Sequence, residues 1–430
     1  MSGVSTLQQW KESLDLTRKQ RDLPESLRKY IECVQAQIKW KRARKPSTAE
    51  LAEHMEEMYE NATLTGKSTS EIETEIIEEM GDPITLGKAL NDVHKPKFNR
   101  ALFGIFSLLI IIGVILNLTC REEVNVSKFL ILNLIGLTFF IISYFVDYTL
   151  FIKKINWIAI GFYILMLLQF LYDARNGISN IGYGMGIYFV MLYSIVSIAV
   201  YTLSRCPMKY SILMLSFLLP IYICTVEEHI EGLVICGFSL LLMYGIDWKE
   251  HNEGKVRLVD SIGLILILAY IIRALYIKNV KLENYLLLVK EIFKNIKLVG
   301  TIKNESVHLD ILDWSDHAFL FWGAKFGLIA FLLVLMVYIL LIVQLMKMEK
   351  RHIYVVNKRI MLQGISILLV QITGAFINCL GVLYVGGFSL PFVAEGGVLT
   401  LINYTIMGIL MSMYRNEDMV VDLIRLRGGI

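Results

Sequence analysis

The sequence predicts an all-α protein, a polytopic membrane bundle of about ten transmembrane helices behind a small soluble helical domain. Three observations carry this. Hydrophobic residues make up 55% of the 430 residues and charged ones only 19%, against roughly 45–50% and 25% in an ordinary soluble domain. The charge is unevenly spread. Residues 1–100 are dense in Lys, Arg, Glu and Asp, whereas from Ala101 onward apolar runs of about twenty residues alternate with short polar loops. A run of that length crosses about 30 Å of hydrocarbon as a helix, and these runs lack the period-two alternation of a barrel strand.

The N-terminal region reads as punctuated helices. One helix is expected from Pro24 to about Lys41. Ser47-Thr48-Ala49-Glu50 has the form of a capping box, in which a hydroxyl accepts from the amide three residues on and the glutamate reaches back. Leu51, Met55, Met58 and Tyr59 then share a face, and Gly66 is placed to end the helix. Ser68-Thr69-Ser70-Glu71 repeats the box, followed by the stripe Ile72, Ile76, Ile77 and Met80. Gly81-Asp82-Pro83 stops that helix and opens another, with Asp82 as N-cap. The domain is set at residues 1–98, the membrane part at 99–418 and a tail at 419–430.

The expected spans are 101–118, 129–149, 155–172, 184–203, 211–225, 231–247, 258–278, 317–346, 359–385 and 397–414. Every second loop is basic: Lys153 and Lys154, then Arg205 and Lys209, then Lys249, Lys255 and Arg257, then Lys347 to Arg359. The positive-inside rule puts those loops, both termini and the N-terminal domain in the cytoplasm. No cleavable leader precedes the charged domain, so the first span is expected to direct insertion. Residues 279–316 form the one long outer loop. A net charge of +3 implies no nucleic-acid footprint. The six cysteines are scattered without a CxxC pair and read as small hydrophobes.

Several residues are candidates for chemistry. Asp316 stands where the outer loop re-enters the membrane. Partial desolvation there suits a general base, while the plain alternative is a helix N-cap. His308 and His317 straddle three aspartates, but their spacing fits no metal-ligand pattern. Lys325 lies nine residues beyond Asp316, roughly 13 Å along a shared helix. Arg273 stands near the outer end of the seventh span, either facing an anionic ligand or snorkelling to the interface. Glu227, Glu228, His229 and Glu231 cluster in a small outer turn and read first as a solvated surface.

The C-terminal segment Leu390-Pro391-Phe392-Val393-Ala394-Glu395-Gly396-Gly397, continuing through Asn403, Gly408, Ser412 and Arg415, resembles the LPFVSYGG signature of the FtsW/RodA/SpoVE family, the shape, elongation, division and sporulation proteins. Asp316 through Gly327 aligns without gaps to that family's TDFIFAVIAEELG stretch. Ile135-Gly136 and Val146-Asp147-Tyr148 resemble its second span and the IDYR that ends it. The resemblance covers roughly residues 100–415. The chain departs from the pattern at Ala324-Lys325, where the family has two glutamates, at Ala394-Glu395 for Ser-Tyr and at Val398-Leu399 for Ser-Ser. The fourth-span QPSE motif is not visible, and Glu227-Glu228-His229-Ile230 stands near the place of QPDLG, with Glu228 for the aspartate.

The resemblance implies a helical bundle in the bacterial cytoplasmic membrane that polymerises lipid II into peptidoglycan at its outer face, for division, elongation or sporulation, beside a class B penicillin-binding protein. It makes Asp316 the catalytic residue. Arg273, Lys325, Glu228, Glu395, Pro391, Gly396 and Gly397 become the candidate substrate contacts. No cofactor is expected, a divalent cation staying open. The alternatives are a non-catalytic scaffold or regulator of a cell-wall complex and a transporter of a lipid-linked precursor. Tyr30-Ile31-Glu32, Glu50-Leu51-Ala52-Glu53-His54-Met55 and Met80-Gly81-Asp82-Pro83 resemble the permease-prefix (HAAS-type) domain, which implies a regulatory or assembly role.

Overall fold

The computed structural model describes residues 23–64, 67–120, 123–146, 148–176, 185–204, 209–226, 228–250, 254–302, 316–352, 355–394 and 397–416. No strand occurs among the described residues. The chain forms two compact units, one of residues 1–98 with 415–430 and one of residues 99–414.

The first unit holds α1 (Glu25–Gln37), α2 (Lys41–Thr63), α3 (Thr69–Met80) and α4 (Pro83–His94). Apolar stripes close one core: Leu27, Ile31 and Val34 from α1, Leu51 and Met55 from α2, Ile72 and Ile76 from α3. Two of the punctuation signals form as read. Ser68 and Glu71 make the reciprocal capping box, with the Ser68 N–H donating to Glu71 at 3.0 Å. Asp82 caps α4, accepting from the Thr85 hydroxyl at 2.6 Å and the Thr85 N–H at 2.8 Å. Those two donors, the hydroxyl first, hold its carboxyl below the usual range.

The Ser47 box does not form. The helix formers Lys41 to Lys45 carry α2 upstream of it, so Ser47 and Thr48 are buried inside the helix and the Thr48 hydroxyl donates back to the Arg44 carbonyl at 2.7 Å. Similarly α1 ends at Gln37 rather than near Lys41. Gly66 lies outside the described residues.

The second unit contains α5 (Arg100–Cys120), α6 (Glu123–Phe145), α7 (Tyr148–Lys153), α8 (Ile155–Asn176), α9 (Met185–Leu203), α10 (Lys209–Val226), α11 (Ile230–Glu250), α12 (Gly254–Lys281), α13 (Glu283–Lys294), α14 (Ala318–Phe326), α15 (Leu328–Arg351), α16 (Val355–Cys379) and α17 (Val398–Arg415). Among the described residues seven helices are long and apolar enough to cross a membrane, and α9, α10 and α11 supply three shorter apolar stretches. Together they occupy the ten expected spans, and the chain is membrane-integral. Large hydrophobes such as Leu134, Leu168, Leu266 and Ile272 are exposed on the outer helices, as a lipid-facing surface requires.

The centre is α16, 72% buried along its span against 11% for α8. It packs on α9, α11 and α15. Its polar side chains find partners across the bundle. Gln363 donates to the hydroxyls of Ser194 and Ser239, and Gln371 and Asn403 exchange reciprocal amide bonds at 3.0 Å. Such pairs fix helix register where water is absent.

Two span boundaries are corrected. The expected single span 317–346 is broken into α14 and α15 at Gly327, whose φ of 97° few residues but glycine adopt. The stretch 297–302 lies against the break. The Leu328 N–H donates to the Lys297 carbonyl at 2.8 Å, and a Cβ at Gly327 would stand 2.7 Å from the Val299 Cα. The expected span 359–385 ends at Cys379, after which the chain leaves the helix. The long loop 279–316 is not all irregular, for it contains α13.

Candidate functional site

Over residues 380–394, beyond the end of α16, the chain is not helical, yet Phe388, Leu390, Phe392, Val393 and Ala394 are buried. Irregular backbone inside a membrane bundle needs partners for every N–H and C=O. Side chains supply them. Asn378, at the end of α16, donates to the Gly386 carbonyl at 2.7 Å and accepts from the Val385 N–H at 2.9 Å. Asn279, at the end of α12, does the same for both backbone groups of Tyr384, at 2.9 and 2.7 Å. The Tyr338 hydroxyl donates to the Pro391 carbonyl at 2.7 Å. Phe392, at φ 70°, sets its ring edge-on to Phe106 and Tyr404.

Asp316 sits beside this segment. It is half-buried, two residues before α14, and a Cβ on Gly387 would stand 3.3 Å from its Oδ2 and 3.5 Å from its Oδ1. The next residue, His317, is fully buried, with the Tyr285 hydroxyl of α13 3.3 Å from each ring nitrogen. The start of α14 is thereby tied to α13 of the long loop.

Glu231, at the start of α11, lies against the same two glycines. Its Oε2 accepts from the Gly387 N–H at 3.3 Å, and its Oε1 is 3.2 Å from Nδ1 of the buried His229. The surface reading of Glu231 and His229 is therefore corrected: their side chains are only 14% and 10% exposed. The physical reason is close backbone approach. Gly386 has φ 130°, and a Cβ there would stand 2.7 Å from the Glu231 nitrogen. Two carboxylates, Asp316 and Glu231, thus flank Gly387.

The remaining candidates are distributed. Arg273 is exposed on α12 and lines a cavity of about 320 Å³ with Glu228, Lys278 and Lys281. Glu228 pairs with the Lys278 ammonium at 2.9 Å, which, with Lys281 beyond it, holds the Glu228 carboxyl below its usual range. Lys325 is exposed near the end of α14, and its backbone carbonyl accepts from the Thr301 hydroxyl at 3.1 Å. The expected single helix carrying both Asp316 and Lys325 is not found, because α14 begins only at Ala318. Pro391 is buried, and Gly397, at φ 54°, precedes α17. Glu395, Gly396, His308, Asp310 and Asp313 lie outside the described residues.

Sequence reasoning missed Asn279, Asn378 and the inward role of Glu231. The available signal was an asparagine near the end of each of two apolar runs, where a polar amide needs a reason to be.

Comparison with known proteins follows the same outline. Residues 298–419 match the family model FTSW_RODA_SPOVE, described as cell cycle protein. No curated protein matches the chain by sequence. Among solved structures, a peptidoglycan synthase complex described as coordinating polymerization and crosslinking is similar at TM-score 0.59 and 15% identity, over 75% of this chain and 98% of that one. The rod shape determining protein RodA of Thermus thermophilus is similar at TM-score 0.51 and 13% identity, and an aspartate-to-alanine mutant of it at 0.53 and 14%, each over 75% of this chain and 98% of theirs. The likeness read from the sequence thus stands: this is a membrane chain with the RodA fold, matching the FtsW/RodA/SpoVE family over its C-terminal residues 298–419.

Proposed function

We propose that this chain is a glycosyltransferase of peptidoglycan synthesis, which polymerises lipid II at the outer face of a bacterial cytoplasmic membrane beside a class B penicillin-binding protein. The observation that supports it is the seating of Asp316 against Gly387. Two stretches 71 residues apart in sequence, both within the region that matches the family model, meet at one half-buried carboxylate. The chemistry needs little more. Asp316 takes the proton of an acceptor sugar hydroxyl as its oxygen attacks the anomeric carbon of the donor. The bond from that carbon to the lipid diphosphate breaks, and the diphosphate leaves with the electron pair. A diphosphate is a good leaving group and requires cations rather than an acid; α12 offers Arg273, Lys278 and Lys281. Glu231 holds the Gly386–Gly387 backbone against which Asp316 rests.

Purified protein with its co-expressed transpeptidase partner is expected to convert labelled lipid II into glycan chains. If it makes none while the partner is bound, the scaffold reading replaces this one.

The basic loops give the orientation of the proposal: residues 279–316 outside, both termini and the N-terminal unit inside, where that unit regulates or assembles the complex. A cysteine introduced at the exposed Asn284 is expected to react with an impermeant maleimide in whole cells. Reaction only after lysis would invert the topology.

A further inference from the structure

The cavity between the ends of α10, α11 and α12 surrounds Arg273, one of the cations proposed above for the diphosphate, with an arrangement of its own. Tyr270, Arg273, Ile277, Lys278 and Lys281 face it from α12, spaced as one helical face. Three cations therefore line it over about two turns, and Glu228 is the one carboxylate among the described lining residues. The rest of the wall is largely apolar, including Cys224, Ile230 and Leu233. We propose that this cavity is a phosphate site for a lipid headgroup, with Glu228 as a built-in counter-ion that the phosphate displaces from Lys278.

Two features support displacement. The Glu228 side chain is 60% exposed and Lys278 is 27% exposed, so breaking the pair forfeits only a solvent-screened contact. The Arg273 guanidinium has no ion pair among the described residues and is free for the forked contact that guanidinium makes to phosphate. With Glu228 swung away, Lys278 is released to pair with a phosphate in the cavity. An apolar tail suits the surroundings, since Ile272, Tyr276 and Ile277 are exposed on the same stretch of α12. A free inorganic anion would leave that surface unused. The volume of about 320 Å³ takes a headgroup and not a whole lipid.

Two lipids present this chemistry: a bilayer phospholipid and a polyprenyl diphosphate. Only the second rests on the proposed function. It gains weight from adjacency, because Ile230 of the cavity wall precedes Glu231, and Lys278 precedes Asn279, so the wall backs onto the Tyr384–Gly387 segment beside Asp316.

Native mass spectrometry of the full-length protein in detergent, titrated with phosphatidylglycerol, undecaprenyl diphosphate and diacylglycerol, tests the site. Both phosphate lipids are expected to bind and diacylglycerol to be absent from the spectra. Arg273→Gln is expected to weaken binding about tenfold, the share of a charge-assisted forked contact, with Arg273→Lys intermediate and all melting temperatures unchanged. Glu228→Gln is expected to tighten binding several-fold, as removal of a competing anion must. Preference for undecaprenyl diphosphate assigns the cavity to the donor lipid, and equal binding assigns it to the bilayer. Binding needs no turnover, so an inactive but lipid-binding protein leaves the site standing and removes only the glycosyltransferase reading. Unchanged binding by Arg273→Gln, or weaker binding by Glu228→Gln, overturns the site.

Discussion

Asp316→Asn is expected to lower the rate of glycan formation by about 10²–10⁴-fold, the usual share of a general base, while the melting temperature and partner binding hold. The amide keeps the size of the carboxylate and the space beside Gly387, so the loss reports on proton transfer and not on packing. Turnover of labelled lipid II by the variant, at saturating substrate, is the measurement. Asp310→Asn and Asp313→Asn are expected to cost far less. If activity survives at Asp316, the base lies elsewhere, and Glu231, across Gly387 from it, is the next group to replace.

The second large effect falls on Gly386. Gly386→Val places a branched side chain at φ 130°, where the ideal Cβ alone would already stand 2.7 Å from the Glu231 nitrogen. Backbone strain of about 1–3 kcal/mol and overpacking of about the same size are expected together to destabilise the bundle by about 2–6 kcal/mol. Thermal unfolding in detergent reads this. A full-length variant with the melting point of the parent would show that the segment is loose and that Glu231 does not hold it. Gly397, with open space around its Cβ position, serves as the control: Gly397→Ala meets backbone strain and no neighbour.

The helices were legible because hydropathy over eighteen or more residues reports directly on membrane insertion. Thus α5, α8 and α17 fall within a few residues of their expected ends. The failures have a common cause. The break at Gly327 and the exit from helix at Cys379 each depend on what another segment does at that place. Residues 297–302 fill the gap at Gly327, and nothing local announces them. The site divides the same way. Asp316 was legible from its position at the membrane edge and from its alignment, whereas Glu231 was hidden inside an acidic turn that looks solvated in one dimension. Its partner, the Gly387 N–H, lies 156 residues away. Lys325 illustrates the reverse error, for counting along an assumed continuous helix put it in register with an aspartate that precedes the helix.

The two asparagines that hold the irregular segment have a mechanical consequence. Asn279 engages the N–H and the C=O of a single residue, Tyr384, as a neighbouring strand would. Its predecessor Lys278 points into the cavity of α12. One turn of one helix therefore grips both places. Any tilt of α12 that opens the cavity must either carry Tyr384 along or sever two part-buried hydrogen bonds. Carrying the loop keeps both bonds, so the Tyr384 backbone is expected to follow α12 wherever that helix end goes.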